Sequence, residues 1–232
     1  MEIISKTPEK LVFRTDANYS LLNAIRRSVE EVPTLAIDEV EIFKNDSALY
    51  DEVLAHRIGL VPLKTESKMS GKTSIELTLK KVGPCTVYSG DFKGEDLIVY
   101  DKIPLTILEK DQEIEIVATA TLGSGLIHTK YVPGLVYYRL LYEVKTGNAK
   151  IDSIVQTVCG EINPDKKGTK WICDLSDAQA DEIKELDKDS IKDSSELLLI
   201  VESFGMMDAA KIFIRAIDTL SKNLDVFGES VK

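Results

Sequence analysis

Histidine, cysteine and tryptophan are all scarce in this chain of 232 residues: there are two, three and one of them. The histidines, His56 and His128, sit in different segments, and no HExxH, CxxC or Cys/His cluster at ligand spacing occurs. A zinc or iron–sulfur site therefore has no evident ligands. The cysteines, Cys85, Cys159 and Cys173, are odd in number and scattered, so they do not make a disulfide framework. Cys159 and Cys173 are placed to approach each other across a strand pair or to remain free thiols. Long apolar runs are missing as well. The longest aliphatic run is Leu197 to Val201, far short of the ~18 residues a membrane span needs. The opening MEIISKTPEK has no apolar stretch of the kind a secretory signal carries. Basic charge is in deficit, with 29 Lys+Arg against 39 Asp+Glu for a net −10 and a pI near 4.9. Neutralising phosphates needs a basic face, so autonomous nucleic-acid binding is not expected. The expectation is an acidic cytoplasmic protein without membrane or nucleic-acid contact.

About 44% of the residues are hydrophobic, enough to build one large core or two small ones. Residues 2–14 alternate around Thr7-Pro8 as a strand or hairpin. A helix starts at Asn18-Tyr19-Ser20, with Leu21, Leu22, Ile25 and Val29 at helical spacing and Pro33 as its stop. Leu35 to Phe43 reads as a strand and Asp51 to Ile58 as a short helix closed by Gly59. Residues 64–142 are almost wholly β. The stretch 143–195 holds two strand candidates, Ile151 to Val158 and Trp171 to Leu175, a charged helix from Ser176 to Leu186, and a polar loop from Asp187 to Ser195. Leu197 to Glu202 is a strand, and Asp208 to Phe227 a long helix.

That last helix carries Ile212, Phe213, Ala216, Ile217, Leu220 and Leu224, a stripe broader than one sheet contact requires. It is either a wide core face or a face that meets a second chain. A lone strand and helix cannot form a domain, so they are expected to return onto the strand and helix of residues 1–45. The fold class is α+β, with one discontinuous domain interrupted by the middle of the chain.

Catalytic patterns are weak. Asp38, Glu39 and Glu41 cluster on one strand, with Asp51 and Glu52 nearby, as a metal-dependent hydrolase would need. Alternation separates Asp38 from Glu39 and Glu41, so a solvated or interface-facing strand is the simpler reading. Gly123-Ser124-Gly125 lacks the GK[ST] of a phosphate loop and reads as a turn. Arg26-Arg27 stands apart from the other basic pairs because it lies on the apolar first helix. Successive residues there point about 100° apart, so at most one of the two joins the core-facing stripe. An arginine at such a rim suits a carboxylate-bearing partner.

The strings Asn23-Ala24-Ile25-Arg26-Arg27 and Glu31-Val32-Pro33-Thr34-Leu35-Ala36-Ile37-Asp38-Glu39-Val40-Glu41-Ile42 closely resemble the D-type subunits of archaeal DNA-directed RNA polymerase. That family also includes the third-largest subunit of eukaryotic RNA polymerase II and, more distantly, the amino-terminal part of the bacterial alpha subunit. The resemblance continues through Asn45, Ser47, Leu49 and Tyr50 into Asp51 to Leu63, and returns at Gly83 to Asp91. Leu122-Gly123-Ser124-Gly125 with His128, Lys130 and Pro133 is similar to the family's glycine-rich stretch, from which Thr129 and Tyr131 depart. Glu196 to Gly205 and the helix through Arg215 match again, whereas 143–195 matches poorly.

The resemblance implies a non-catalytic assembly subunit with no active site of its own. It implies a dimerisation domain of residues 1–46 plus 196–232, an inserted β-rich domain of 47–142, and a small ferredoxin-like remnant lobe of 143–195. Leu22, Ile25, Val29, Phe213, Ile217, Leu220 and Leu224 would form the seam with the small subunit L. Arg26, Arg27, Glu52, His56 and Arg57 would meet the large catalytic or small zinc-binding subunits. Many members carry a cluster-binding lobe. Cys159 and Cys173 alone do not supply the about four thiolates of a cubane, so neither an iron–sulfur cluster nor zinc is expected. The alternatives are a free-standing adaptor of the same fold, or a hydrolase built on Asp38, Glu39 and Glu52.

Overall fold

The computed structural model describes residues 1–158 and 160–231. Two antiparallel sheets organise it. The larger has six strands, assembled from stretches far apart in the chain. A hairpin of β1 (Glu2–Lys6) and β2 (Lys10–Thr15) forms one side. It continues through the last strand, β11 (Ile191–Ser203), then β8 (Gly134–Lys145), β10 (Lys170–Cys173) and β9 (Asp165–Lys167). Helix α1 (Tyr19–Ser28) follows β2, and α5 (Ala209–Ser230) follows β11. Both lie on one face of this sheet.

The apolar run in β11 is explained by burial on both sides. Leu197, Leu199 and Val201 point into the core under α1 and α5, with Leu11, Phe13 and Val136. Leu198 and Ile200 point to the opposite face, with Val12, Leu141, Ile162 and Ile172. A strand covered on both faces shows no alternation, because neither side meets water.

Between α1 and β8 the chain builds a separate module. Its sheet has the order β3 (Thr34–Asn45), β7 (Glu113–Gly123), β4 (Ser74–Val82). A ribbon of β5 (Cys85–Tyr88) and β6 (Pro104–Leu108) and helix α2 (Asp51–Gly59) complete it. One core joins these parts, including Leu35 and Ile37 of β3, Leu54 and Ile58 of α2, and Ile114 and Ile116 of β7. The module is tied to the turns after α1 and before α5 by backbone bonds. The Gly125 amide donates to the Glu30 carbonyl (2.6 Å), and the Thr65 amide to that of Met206 (2.8 Å).

Strand pairing moves the expected boundaries. Residues 34–45 belong to the inserted sheet, because β3 pairs with β7 and not with β2 or β11. Residues 134–145 belong to the large sheet, since β8 runs beside β11 along most of its length. The insertion thus runs from about 34 to 133, rather than from 47 to 142.

The lobe after β8 corrects two further readings. Ile151 to Val158 is not a strand: α3 (Ala149–Gln156) occupies most of it, capped by the Asn148 side chain at Lys150 N. Ile151, Ile154, Val155 and Val158 sit at helical spacing and fill a small core with Cys173, Leu175 and Ile183. Residues 187–195 are not all loop, because β11 begins at Ile191 and pairs with β8 at Val144, Glu143 and Tyr142. A register shift between Asp193 and Leu197 separates this polar end from the apolar run. The charged helix is present as α4 (Asp177–Leu186), with a Ser176–Gln179 capping box. The Cys159–Cys173 pairing lies outside the described residues. Cys173 is a buried free thiol.

Candidate protein-docking interface

The helical layer over the large sheet carries the most exposed apolar side chains at regular spacing. Helix α1 is started by Asn18, whose Oδ1 accepts from Ser20 N (2.8 Å). Its apolar stripe turns inward: Leu22, Ile25 and Val29 are only 2%, 6% and 2% exposed. They pack on the sheet and on α5. These three of the seven expected seam residues therefore belong to the chain's own core, since the narrow i, i+3, i+7 stripe of α1 is used up by the sheet beneath. Its outer side shows Leu21 and Tyr19, the latter edge-on to Tyr138 at 5.9 Å between centroids.

Helix α5 divides along its length. In its first half Ile212 and Ala216 are fully buried, and Phe213 packs edge-on against Phe13 at 5.0 Å. Farther on, Ile217, Leu224 and Phe227 are 39%, 61% and 66% exposed, with Leu220 half-buried between them. Every residue from Ser221 to Val231 is exposed. The helix outruns its sheet. Phe213, Ile217, Leu220, Leu224 and Phe227 recur at spacings of four and three, the a/d pattern of a helix meeting another helix. One lateral contact steadies the overhang, Asn223 Nδ2 donating to Glu31 Oε2 (2.7 Å).

The other predicted contact residues fall on two surfaces. On α1, Arg26 is half-buried and donates twice to Asn23 Oδ1 (3.2 and 3.0 Å), while Arg27 is exposed. Glu52, His56 and Arg57 are exposed on α2, whose Leu54 and Ile58 face inward. Arg57 donates to the Pro104 carbonyl (2.6 Å) beside an apolar groove of 330 Å³ that includes Leu49 and Ile107.

Two relations were not visible in the sequence. His56 and His128, distant in the chain, line one cleft of 250 Å³ with Asp38, Leu60 and Lys130. Within it Lys130 Nζ and the Tyr131 hydroxyl both donate to Asp38 Oδ1 at 3.0 Å, pinning the loop after β7 onto β3. The Lys130 ammonium holds the Asp38 carboxyl below its usual range, aided by Tyr131 and opposed by partial burial. Asp38 is thus committed to a structural pair, while Glu39 and Glu52 are exposed on separate elements. No three His, Cys, Asp or Glu side chains converge as metal ligands among the described residues. No signal short of the fold could have paired Asp38 with Lys130, which is 92 positions away.

Comparison with known proteins places this architecture. A DNA-directed RNA polymerase subunit Rpo3 of Methanobrevibacter smithii is 31% identical over 265 aligned positions, covering 98% of this chain and 96% of that protein. The chain belongs to the archaeal Rpo3 family. The family described as the RNA polymerase Rpb3/RpoA insert domain matches residues 40–133, within the inserted module outlined by strand pairing. The Rpo3 of Methanocaldococcus jannaschii is 43% identical over 133 residues, covering 56% of this chain and 69% of that protein. For the Rpo3 of Pyrococcus horikoshii the values are 39% over 156 residues, 62% and 60%. The match thus spans about 60% of the length of the Pyrococcus relative. No helix is long and apolar enough to cross a membrane among the described residues.

Proposed function

We propose that this chain is a cytoplasmic, non-catalytic platform subunit of the archaeal DNA-directed RNA polymerase. In this reading it pairs with the small subunit L and docks the large catalytic and small zinc-binding subunits. The observation that carries it is the second half of α5, an apolar helix face extending beyond the chain's own core. Isolated helices of this length are marginal in water, and their stability comes from a packed apolar face. Ile217, Leu220 and Leu224, with Phe213 at the inner end, supply that face. Covering such side chains is worth roughly 1.5–3 kcal/mol each before association costs are subtracted. Leu22, Ile25 and Val29 act from below, by holding α1 and α5 in place.

Arg26, Arg27 and the α2 residues Glu52, His56 and Arg57 are assigned to contacts with other polymerase subunits. Their support is the exposure of Arg27 and the three α2 residues, with Arg26 half-buried, on helices that also expose apolar side chains: Tyr19 and Leu21 on α1, and Tyr50, Val53 and Leu60 around α2. The lobe of residues 146–190 is assigned no iron–sulfur cluster or zinc. Its described cysteine, Cys173, hydrogen-bonds the Tyr142 carbonyl, and burial pushes its thiol up to about 12, with Asp174 adding to the effect. A cubane needs about four thiolates, and the chain has three cysteines in all, one of them, Cys85, in the inserted module, so the donor set does not fit a cluster.

Recovery of a tagged full-length chain from an archaeal host, with its partners identified by mass spectrometry, tests the function. The large catalytic subunits and subunit L are expected in near-equal amounts. A chain that brings down L alone is the free-standing adaptor. A chain that brings down neither is not a polymerase subunit.

A further inference from the structure

On the back of the large sheet, opposite α1 and α5, the segment 160–167 lays Ile162 over the apolar layer and then runs into the edge strand β9. We propose that this segment is a releasable strap, held in part by ion pairs, that opens as a unit while the strands beneath it stay paired. Its apolar anchor is Ile162, 6% exposed, set against Val12, Leu198 and Ile200.

Three ion pairs add to this anchor. Glu161 pairs with Lys10 (2.7 Å), Asp165 with Arg14 (3.4 Å), and Lys167 with Glu196 (3.5 Å). Apart from Arg14, these side chains are 26–49% exposed, within reach of screening by salt. Residues 165–167 add a three-residue ladder to β10 at the sheet's edge, which release breaks. At the other end the Glu161 amide donates to Asp174 Oδ2 (3.0 Å), a carboxylate 1% exposed that also takes Arg139 (3.0 Å) and whose Oδ1 has no hydrogen-bond partner. Gly160 fits there because it has no side chain: a Cβ would stand 2.6 Å from that Oδ2 and 2.8 Å from the Asp174 carbonyl oxygen. Strand β11 contrasts with the strap. It is bonded on both sides, to β2 and β8, and Leu198 and Ile200 are fully buried. Release of the strap bares an apolar strip of β2 and β11 without disturbing their pairing.

Hydrogen exchange of the full chain, read by mass spectrometry at low salt and in molar sodium chloride, tests this. Exchange over 160–167 is expected to quicken about tenfold with salt, the summed effect of three partly exposed pairs, while 197–201 stays protected. Lys10→Met and Glu161→Gln should each quicken the strap at low salt and blunt its response to added salt. Gly160→Ala should open it at every salt concentration. Strap exchange indifferent to salt and to both charge variants would overturn the proposal. So would strap and β11 quickening together, which would mark global unfolding rather than release.

Discussion

Helix α1 and the far half of α5 carry apolar residues at the same helical spacing but have opposite surroundings. The stripe of α1 lies over a sheet and disappears into the core, whereas the stripe of α5 continues after the sheet has ended. Periodicity reports that a face will be covered. It does not report whether the covering belongs to the same chain. The difference separates residues that hold the fold from residues free to hold a partner, and substitutions on the two sides of it should behave differently.

The largest effect is expected at Ile25. Ile25→Asp buries a carboxylate without a counter-ion and should cost more than about 4 kcal/mol, enough to unfold the chain. Loss of the cooperative thermal transition checks this. Ile212→Ala, under the inner half of α5, should cost about 2–5 kcal/mol in denaturant unfolding. Leu224→Asp should change the stability of the free chain by under about 0.5 kcal/mol yet abolish pairing with subunit L. If Leu224→Asp melts the isolated chain as Ile25→Asp does, the two stripes are equivalent and the distinction fails.

Two smaller changes probe the modules away from the helices. Asp38→Asn removes the negative charge facing Lys130 while leaving an amide oxygen to accept from Lys130 and Tyr131, and should cost no more than about 1 kcal/mol at neutral pH. The folded-state pKa of Asp38 lies below the unfolded value of about 3.9. Its contribution is therefore present above pH ~4 and is lost as pH falls through the lower folded value. Unfolding curves of wild type and variant should differ at pH 7 and converge on acidification below pH ~4. Cys173, with its pKa at about 12, should resist alkylation in the native chain under mildly alkaline conditions. The partly exposed Cys85 should react before Cys173, as peptide mapping will show.

Much of this is legible in the sequence, for local reasons. The opening hairpin, α1 with its Asn18 cap, α2 and the long last helix each carry their own period and punctuation. Residues 151–158 read as a strand and fold as a helix because Ile-Asp-Ser-Ile-Val is short, β-branched and apolar, and fits either period until a facing helix decides. The polar start of β11 is hidden because its strand character comes from pairing with β8, not from its side chains. The exchange of β3 and β8 between modules is likewise a matter of partners distant in the chain. At the interface the stripe on α5 is legible. What needs the fold is that Leu22, Ile25 and Val29 are spent on the chain's own core.

The most direct measurement of the central claim is co-purification of the full-length Ile217→Asp and Leu220→Asp chains with subunit L, alongside thermal melting of each chain alone. The expected result is near-wild-type melting of the Ile217→Asp chain, a lowered but still cooperative transition for Leu220→Asp, whose side chain packs partly on the core, and no recovery of L with either. Recovery of L at wild-type stoichiometry by either variant would contradict the claim and place the seam elsewhere.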